Sequence, residues 1–123
     1  MVPDKVVELR APVLLVVEDE VLIRISVCDF LRNAGFSVIE AGSAREALAV
    51  LKAHADVALV VTDIRLSGAA EGLDLIREIR KSYPAMKVIT ASAYRNTEPV
   101  EATVTKPYSL ERLLAVINSV LGL

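Results

Sequence analysis

The sequence has few of the residues that strengthen a small fold by cross-links or large aromatic side chains. Its 123 residues include no tryptophan, only 4% aromatic residues and a single cysteine, Cys28. One cysteine excludes an internal disulfide and is typical of a reducing cytosol, so we interpret Cys28 as a core residue. Because 54% of the residues are hydrophobic, the core is expected to consist of Val, Leu, Ile and Ala, as in sheets buried on both faces.

The chain also lacks a basic block and a long apolar run. Lys and Arg total 14 against 16 Asp and Glu, without the clustering that is typical of nucleic-acid-binding proteins. No apolar stretch approaches the roughly 20 residues of a membrane span. The amino end, with Asp4, Lys5, Glu8 and Arg10, does not resemble a signal peptide. We therefore expect a cytoplasmic protein that binds neither nucleic acid nor membrane.

Short β-branched runs alternate with amphipathic helical patterns, which predicts an α/β fold. Residues 1–12 are predicted to form an N-terminal arm, and residues 13–121 a single domain. Strands are predicted at 13–17, 36–41, 57–62, 87–92 and 102–105. Four helices are predicted: one ending at Gly35, one after a capping box at 43–46, one from Leu73 to Tyr83-Pro84, and one after Ser109. Right-handed crossovers then give a three-layer, doubly wound parallel sheet with helices on both faces.

Polar residues follow four of the predicted strands at the point where each strand ends. They are Glu18, Asp19 and Glu20, then Asp63, Ser92 and Lys106. The carboxyl ends of parallel strands lie along one edge of the sheet, where open α/β sheets bind their ligands. The sequence therefore predicts a single site at this edge.

The residue types at this edge favour a magnesium-dependent phosphoryl site. Neighbouring carboxylates repel each other unless a cation joins them, and hard oxygen ligands select Mg²⁺. Lys106 supplies an ammonium, Ser92 a hydroxyl donor, and Asp63 is the predicted nucleophile. Taken singly, Glu18 and Asp19 are also typical of a helix start. Asp63 alone would fit a turn cap, and Lys106 alone a solvated surface.

Five short segments resemble the receiver domain of bacterial two-component response regulators. They are residues 16–20 (VVEDE), 61–66 (VTDIRL), 72–75 (GLDL), 89–94 (ITASAY) and 105–108 (TKPY). The resemblance extends over about residues 13–121 and depends on the order and placement of these segments. It implies a CheY-like, flavodoxin-like (βα)5 fold with strand order 2-1-3-4-5.

The resemblance also implies the chemistry of the site. Asp63 resembles the phosphoacceptor, which takes a phosphoryl group from a sensor histidine kinase or a histidine phosphotransfer protein. Ser92 and Lys106 would hold phosphoryl oxygens and report phosphorylation to the rest of the fold. The peptide bond between Lys106 and Pro107 is expected to be cis. Such a domain regulates a downstream protein partner and is not itself an enzyme.

A magnesium ion is part of the same resemblance. Asp19 resembles the direct metal ligand, with Glu18 acting through a water molecule. Asp63 and the main-chain carbonyl of Arg65 would complete the protein ligands.

The sequence departs from the family pattern between Ser92 and Lys106. These residues are 14 positions apart, whereas a parallel crossover takes a dozen or more residues and usually includes a helix. Residues 93–101 include Pro99, so the family's fourth helix is predicted to be absent or one turn long. An antiparallel fifth strand is the alternative. It would carry Lys106 away from Asp63, so a parallel strand is favoured.

Two further departures concern single positions. Thr103 stands three residues before Lys106, where the family usually has an aromatic switch residue, so a switch that depends on an aromatic rotamer is not expected. Ser67 stands where the family often has proline, and the loop from Asp63 to Gly72 is one residue longer than the commonest spacing.

The missing helix predicts exposed apolar surface at the face formed by strand five and the last helix, where a homodimer or a downstream partner is expected. Two other functions stay open. One is a degenerate receiver that binds its partners constitutively, and the other is a Mg²⁺-dependent phosphatase with Asp63 as nucleophile. Such phosphatases usually place a second acid two residues after the nucleophile, where this chain has Arg65, a residue that stays protonated at neutral pH. The domain is expected either to stand alone or to be part of a hybrid kinase.

Overall fold

A computed structural model of the chain describes residues 11–66 and 71–123, and strands alternate with helices along this part of the chain. The strands are β1 (Val13–Val17), β2 (Ser37–Ala41), β3 (Val57–Thr62), β4 (Lys87–Ser92) and β5 (Ala102–Thr105). The helices are α1 (Val21–Asn33), α2 (Ala44–Ala53), α3 (Glu71–Ser82) and α4 (Leu110–Leu121). Most of the predicted N-terminal arm, and the prediction concerning Ser67, lie outside the described residues.

The five strands form one sheet in the order β2-β1-β3-β4-β5, and every neighbouring pair is parallel. This confirms the predicted fold class. The parallel prediction for β5 is also confirmed, since Ser92 pairs with Thr105 and the Lys106 amide donates to the Ser92 carbonyl at 2.9 Å. Lys106 therefore stays at the carboxyl edge of the sheet.

Each face of the sheet is covered by two helices. On one face α1 and α4 pack against alternate strand residues through Leu31 and Leu113, which have no exposed surface. On the other face α2 and α3 pack through Leu51 and Ile76. Cys28 lies in the first of these clusters, and burial raises the pKa of its thiol to about 11, as expected for an inert core residue.

Local signals in the sequence fix the ends of the helices. Ser43 Oγ accepts a hydrogen bond from the Glu46 amide at 3.1 Å, while the Glu46 carboxylate accepts one from the amide of Gly42. This arrangement resembles the capping box predicted at 43–46, except that the Glu46 carboxylate binds the amide of Gly42 instead of the amide of the cap residue Ser43. Gly35 has φ of 103°, a left-handed conformation that suits glycine, and it follows α1 as predicted. Strand β2 begins at Ser37, one residue later than predicted.

The crossover from β4 to β5, residues 93–101, contains no helix, as the short spacing predicts. Arg80 on α3 holds the carboxyl end of this crossover in place. Its guanidinium donates to the carbonyls of Pro99 and Met86, and it binds the Glu101 carboxylate at 2.6 Å. The Glu101 carboxylate also accepts from the Val88 amide at 2.7 Å. Side-chain bonds to α3 therefore replace a helix in holding β5 at the edge of the sheet.

None of the helices within residues 11–66 and 71–123 combines the length and the hydropathy needed to cross a bilayer.

Candidate functional site

The predicted site residues meet at the carboxyl edge of the sheet, where each follows or ends a strand. Glu18 follows β1, Asp63 follows β3, Ser92 ends β4 and Lys106 follows β5. Glu18, Asp63 and Ser92 are 7%, 8% and 4% exposed. Parallel pairing thus brings polar side chains from distant parts of the sequence into one nearly buried cluster.

Lys106 lies between two carboxylates. Its Nζ atom donates to Asp63 Oδ2 at 2.8 Å and to Glu18 Oε1 at 3.0 Å. Burial alone would lower the pKa of this ammonium, but the bonds to Asp63 and Glu18 outweigh burial and raise the pKa. Lys106 is therefore a permanent cation at neutral pH, and it neutralises part of the charge of the acidic cluster.

The remaining carboxylate oxygens are bound by main-chain amides of the loops that leave the strands. The Arg65 amide donates to Asp63 Oδ1 at 2.9 Å, and the Glu20 amide donates to Glu18 Oε2 at 3.1 Å. Burial raises the pKa of Glu18, although the Glu20 amide and Lys106 both oppose this shift. Both acids are thus fixed in position before any ligand arrives.

Asp19 and Glu20 differ from Glu18 in being exposed, and Glu20 stands at the start of α1 without a side-chain cap bond. In the described part of the chain, no three acidic, His or Cys side chains are grouped as metal ligands. The donor chemistry nevertheless fits Mg²⁺, since the carboxylates of Glu18, Asp19 and Asp63 and the Arg65 carbonyl all offer hard oxygens. Glu18 and Asp63 already share one cation, Lys106. The assignment of Asp19 as a direct ligand remains a prediction.

Ser92 ends β4, the strand that pairs with β3, and Tyr94 lies two residues further along the chain. The Tyr94 amide donates to Ser92 Oγ at 3.1 Å, which orients the hydroxyl at the end of β4. The Arg65 guanidinium lies 4.7 Å from the centre of the Tyr94 ring, a cation–π contact. Arg65 and Tyr94 therefore join the loops after β3 and β4 next to Asp63. The sequence places Arg65 two residues after Asp63 and Tyr94 two residues after Ser92, but it does not indicate that Arg65 and Tyr94 touch each other.

The peptide bond between Lys106 and Pro107 is cis, as the resemblance implies. Tyr108 follows and is partly buried, and burial raises the pKa of its hydroxyl.

Comparisons with known proteins agree with this geometry. The family model described as the response regulator receiver domain matches residues 14–118. The chain belongs to this family. Within curated proteins it is 34% identical over 117 residues to the sensor kinase CckA of Brucella abortus, covering 87% of this chain and 12% of that protein.

Two solved structures are similar to this receiver domain over most of both chains. A receiver domain protein from Methanospirillum hungatei is 28% identical with a TM-score of 0.83, over 91% of this chain and 94% of that one. The response regulator TrrA from Thermotoga maritima, solved in complex with Mg²⁺-BeF, is 27% identical with a TM-score of 0.79, over 88% and 97%. The curated relatives are longer, and the chain spans between 12% and 54% of the lengths of those that it resembles. Receiver domains are regulatory phosphoacceptors that interact with histidine kinases and downstream partners.

An apolar groove of about 560 Å³ opens beside Lys106 in this receiver domain. Its lining comes from α1, the residue after β4, the segment after β5 and the first residue of α4. It comprises Leu22, Ile23, Ser26, Val27, Ala93, Lys106, Pro107, Tyr108 and Leu110. Val21, Leu22 and Ile25 are exposed on the same helix, Leu22 to 77%. The sequence alone does not indicate this surface, because the pattern of α1 does not show which of its apolar residues stay exposed.

Proposed function

We propose that this receiver domain accepts a phosphoryl group on Asp63, in a Mg²⁺-dependent reaction, and thereby changes its binding to a downstream partner. The donor would be the phosphohistidine of a sensor histidine kinase or of a histidine phosphotransfer protein. The main support is the 2.8 Å hydrogen bond from Lys106 to Asp63, which places a permanent cation on the proposed nucleophile.

In the proposed transfer, a carboxylate oxygen of Asp63 attacks the phosphorus of the phosphohistidine. An O–P bond forms, the N–P bond breaks, and its electron pair leaves with the imidazole nitrogen. The Lys106 ammonium can then bind a phosphoryl oxygen in place of a carboxylate oxygen. Ser92, at the end of the neighbouring strand, supplies a hydroxyl donor for another phosphoryl oxygen.

Mg²⁺ would be held by Asp19 and Asp63, by the Arg65 carbonyl, and by Glu18 through water. When bound, the ion supplies positive charge for the oxygens of the transferring group. The relative TrrA, solved with Mg²⁺-BeF, supports this part of the proposal. Receiver domains generally bind Mg²⁺ at the phosphorylation site.

The donor protein would dock on the apolar groove and on the exposed residues of α1. A donor must bring its phosphohistidine to Asp63, and the groove is lined by Lys106, which itself contacts Asp63. Val21, Leu22 and Ile25 then provide apolar surface next to the reacting groups. Such a donor and such a signalling role fit a cytoplasmic protein.

The experiment is incubation with acetyl phosphate and Mg²⁺, followed by intact mass measurement. The wild-type chain should gain one phosphoryl group, and Asp63→Asn should gain none. Asp56→Asn is a matched control, because Asp56 is exposed and precedes β3 at the opposite edge of the sheet, so it should behave like the wild type. Modification of Asp63→Asn, or an unmodified wild type that also fails to respond to beryllofluoride, would overturn the proposal. The second result would favour a receiver that binds its partners constitutively.

The phosphatase alternative has a separate readout. Arg65 occupies the position of the second acid, and its guanidinium, which contacts the Tyr94 ring, stays protonated at neutral pH and cannot act as a general acid or base there. Turnover of a generic phosphate ester, lost in Asp63→Asn, would revive this alternative.

A homodimer through β5 and α4 belongs to the same proposal. A shallow groove of about 300 Å³ runs between these two elements, and Thr103 is exposed beside it. Light scattering with and without beryllofluoride tests this dimer, and a monomer in both states would count against it.

A further inference from the structure

Arg24 on α1 bonds to the main chain of the loop between β1 and α1, which contains Glu18 and Asp19. Its Nη1 atom donates to the Glu18 carbonyl at 2.7 Å, and its Nε atom donates to Glu40 Oε1 at 3.3 Å. The side chain is 19% exposed. Glu40 on β2 thus holds one side of the guanidinium while the other side binds the loop.

The bonded carbonyl belongs to the peptide that joins Glu18 to Asp19. Fixing this peptide sets the directions in which the two successive side chains leave the main chain. Glu18 turns inward to Lys106, and Asp19 is exposed. The Glu18 amide is also fixed, by the Ala41 carbonyl at 3.0 Å, so main-chain bonds hold the Glu18 residue on both sides.

We propose that Arg24 is a positioning residue for the Mg²⁺ ligands Glu18 and Asp19, acting through its bond to the Glu18 carbonyl. The inference depends on the proposed function, because Glu18 and Asp19 are metal ligands only in that proposal. A guanidinium suits the role, since its separate N–H groups can bind Glu40 and the carbonyl together in fixed geometry. A lysine ammonium has no such planar fork.

Loss of Arg24 should change Mg²⁺ binding in opposite directions, depending on whether Arg24 acts through its charge or by positioning the ligands. Removing a cation close to an acidic cluster should strengthen Mg²⁺ binding by Coulomb interaction alone. Releasing the peptide between Glu18 and Asp19 should weaken Mg²⁺ binding, because the ligands are no longer preorganised. The sign of the change therefore separates a positioning residue from a nearby charge.

The test is a Mg²⁺ titration of each protein without a phosphodonor. Backbone amide NMR shifts measure the binding. Arg24→Met should raise the dissociation constant about tenfold, the lower end of the effect of losing a partner that orients a metal ligand. Arg24→Lys retains the charge and should give a smaller rise. Arg32→Met is the matched control, because Arg32 binds the same Glu40 at 3.0 Å but donates to the Val38 carbonyl instead of the acidic loop. Its dissociation constant should equal that of the wild type.

A second variant leaves Arg24 in place. A Cβ atom at Gly42 would lie 3.1 Å from Arg24 Nη1, so Gly42→Ala should shift the guanidinium by a few tenths of an ångström and weaken Mg²⁺ binding less than Arg24→Met does.

Two results would overturn the inference. If folded Arg24→Met and Arg24→Lys bind Mg²⁺ as tightly as the wild type or more tightly, this inference is overturned and the proposed function is not. A wild-type chain that binds no Mg²⁺ would overturn both. Dispersed NMR spectra and thermal midpoints identify any variant that does not fold, in which case Arg24→Lys and Gly42→Ala decide.

Discussion

Lys106 donates a 2.8 Å hydrogen bond to Asp63, although the two residues are 43 positions apart in the sequence. The contact requires β5 to run parallel to β4 and β4 parallel to β3, so that both residues reach the same edge. The contact forms even though the crossover into β5 lacks a helix. The Lys106–Asp63 pair therefore depends on the parallel order of the strands rather than on the helix that usually connects β4 with β5.

The first prediction concerns the charge balance of this cluster. Lys106→Met leaves the Glu18 and Asp63 carboxylates without their shared cation and should lower the free energy of unfolding by about 2 kcal/mol at pH 7. Because the pKa of Lys106 is raised, its contribution is fully present at neutral pH and is lost only as the solution becomes strongly alkaline. Urea unfolding measures the change.

A double-mutant cycle makes this prediction specific. Lys106→Met and Asp63→Asn should couple by about 1 kcal/mol or more, since they remove the two partners of one hydrogen bond. Lys52→Met is the control, because Lys52 is exposed in the last turn of α2, and it should leave the stability nearly unchanged. Effects of Lys106→Met and Asp63→Asn that simply add would contradict a direct interaction.

The second prediction concerns pH and the crossover into β5. Burial opposes ionisation of Glu101, but the bonds from the Val88 amide and the Arg80 guanidinium outweigh burial and lower the pKa of this carboxyl. Its ionised form should therefore contribute stability above the ordinary glutamate pKa, and this contribution should be lost as the pH falls through the lowered value. Because the side chain is 37% exposed, the contribution is only about 0.5 kcal/mol.

Glu101→Gln tests this sign, since glutamine retains an oxygen for the Val88 amide but not the charge. Its stability deficit relative to the wild type should be present at pH 7 and shrink as the solution is acidified below the usual range of a glutamate. Urea unfolding at a series of pH values measures both curves. A deficit that stays constant from pH 7 into the acid range would show that charge is not the cause.

The third prediction concerns the lifetime of the proposed acyl phosphate. The Arg65–Tyr94 contact joins the loops after β3 and β4, and the Arg65 amide bonds to Asp63, so we expect the contact to restrict the access of water to Asp63. Tyr94→Ala should shorten the lifetime roughly threefold, in line with the small energy of an exposed cation–π contact. Loss of the phosphoryl group after removal of acetyl phosphate can be followed by mass. Tyr94→Phe retains the ring and should match the wild type, so equal rates for the phenylalanine and alanine variants would disprove a role for the stack.

The fourth prediction concerns the close packing of α3 against the loop residues Asp63 and Ile64, which follow β3. A Cβ atom at Gly72 would overlap the main-chain carbonyls of Ile64 and Asp63. Gly72→Ala should therefore push α3 away from this loop and lower the free energy of unfolding by about 3 kcal/mol. Gly122→Ala is a useful comparison, because Gly122 has φ of 76° and open space around it. This substitution should lower the free energy of unfolding by about 1 kcal/mol through backbone conformation only. A smaller effect at Gly72 than at Gly122 would contradict the steric argument.

The sequence was sufficient to predict the sheet and the members of the acidic cluster. Short apolar, β-branched runs identify β1 and β3. Because the strands run parallel, Glu18, Asp63 and Lys106 then lie at the same edge of the sheet. The absence of a helix between β4 and β5 also followed from the short spacing and from Pro99. These features depend on spacing along the chain, which a sequence displays directly.

Other features depend on how far side chains reach through space. Arg24 lies one turn into α1, and nothing in its spacing indicates a bond to the Glu18 carbonyl. The stack of Arg65 on Tyr94 joins two loops, and the groove depends on how α1 is rotated against the segment after β5. A sequence names these residues but does not give the distances between them.

The bonds of Arg80 have a mechanical consequence for the whole domain. Met86 precedes β4 and Pro99 lies shortly before β5, so one guanidinium on α3 fastens the approaches to both strands. Detaching α3 from the sheet would therefore loosen β5, the strand that positions Lys106, although α3 and β5 are in different layers. A protein bound to the outer surface of α3 would then act on the β4–β5 edge of the sheet through these bonds, without any change of an aromatic rotamer.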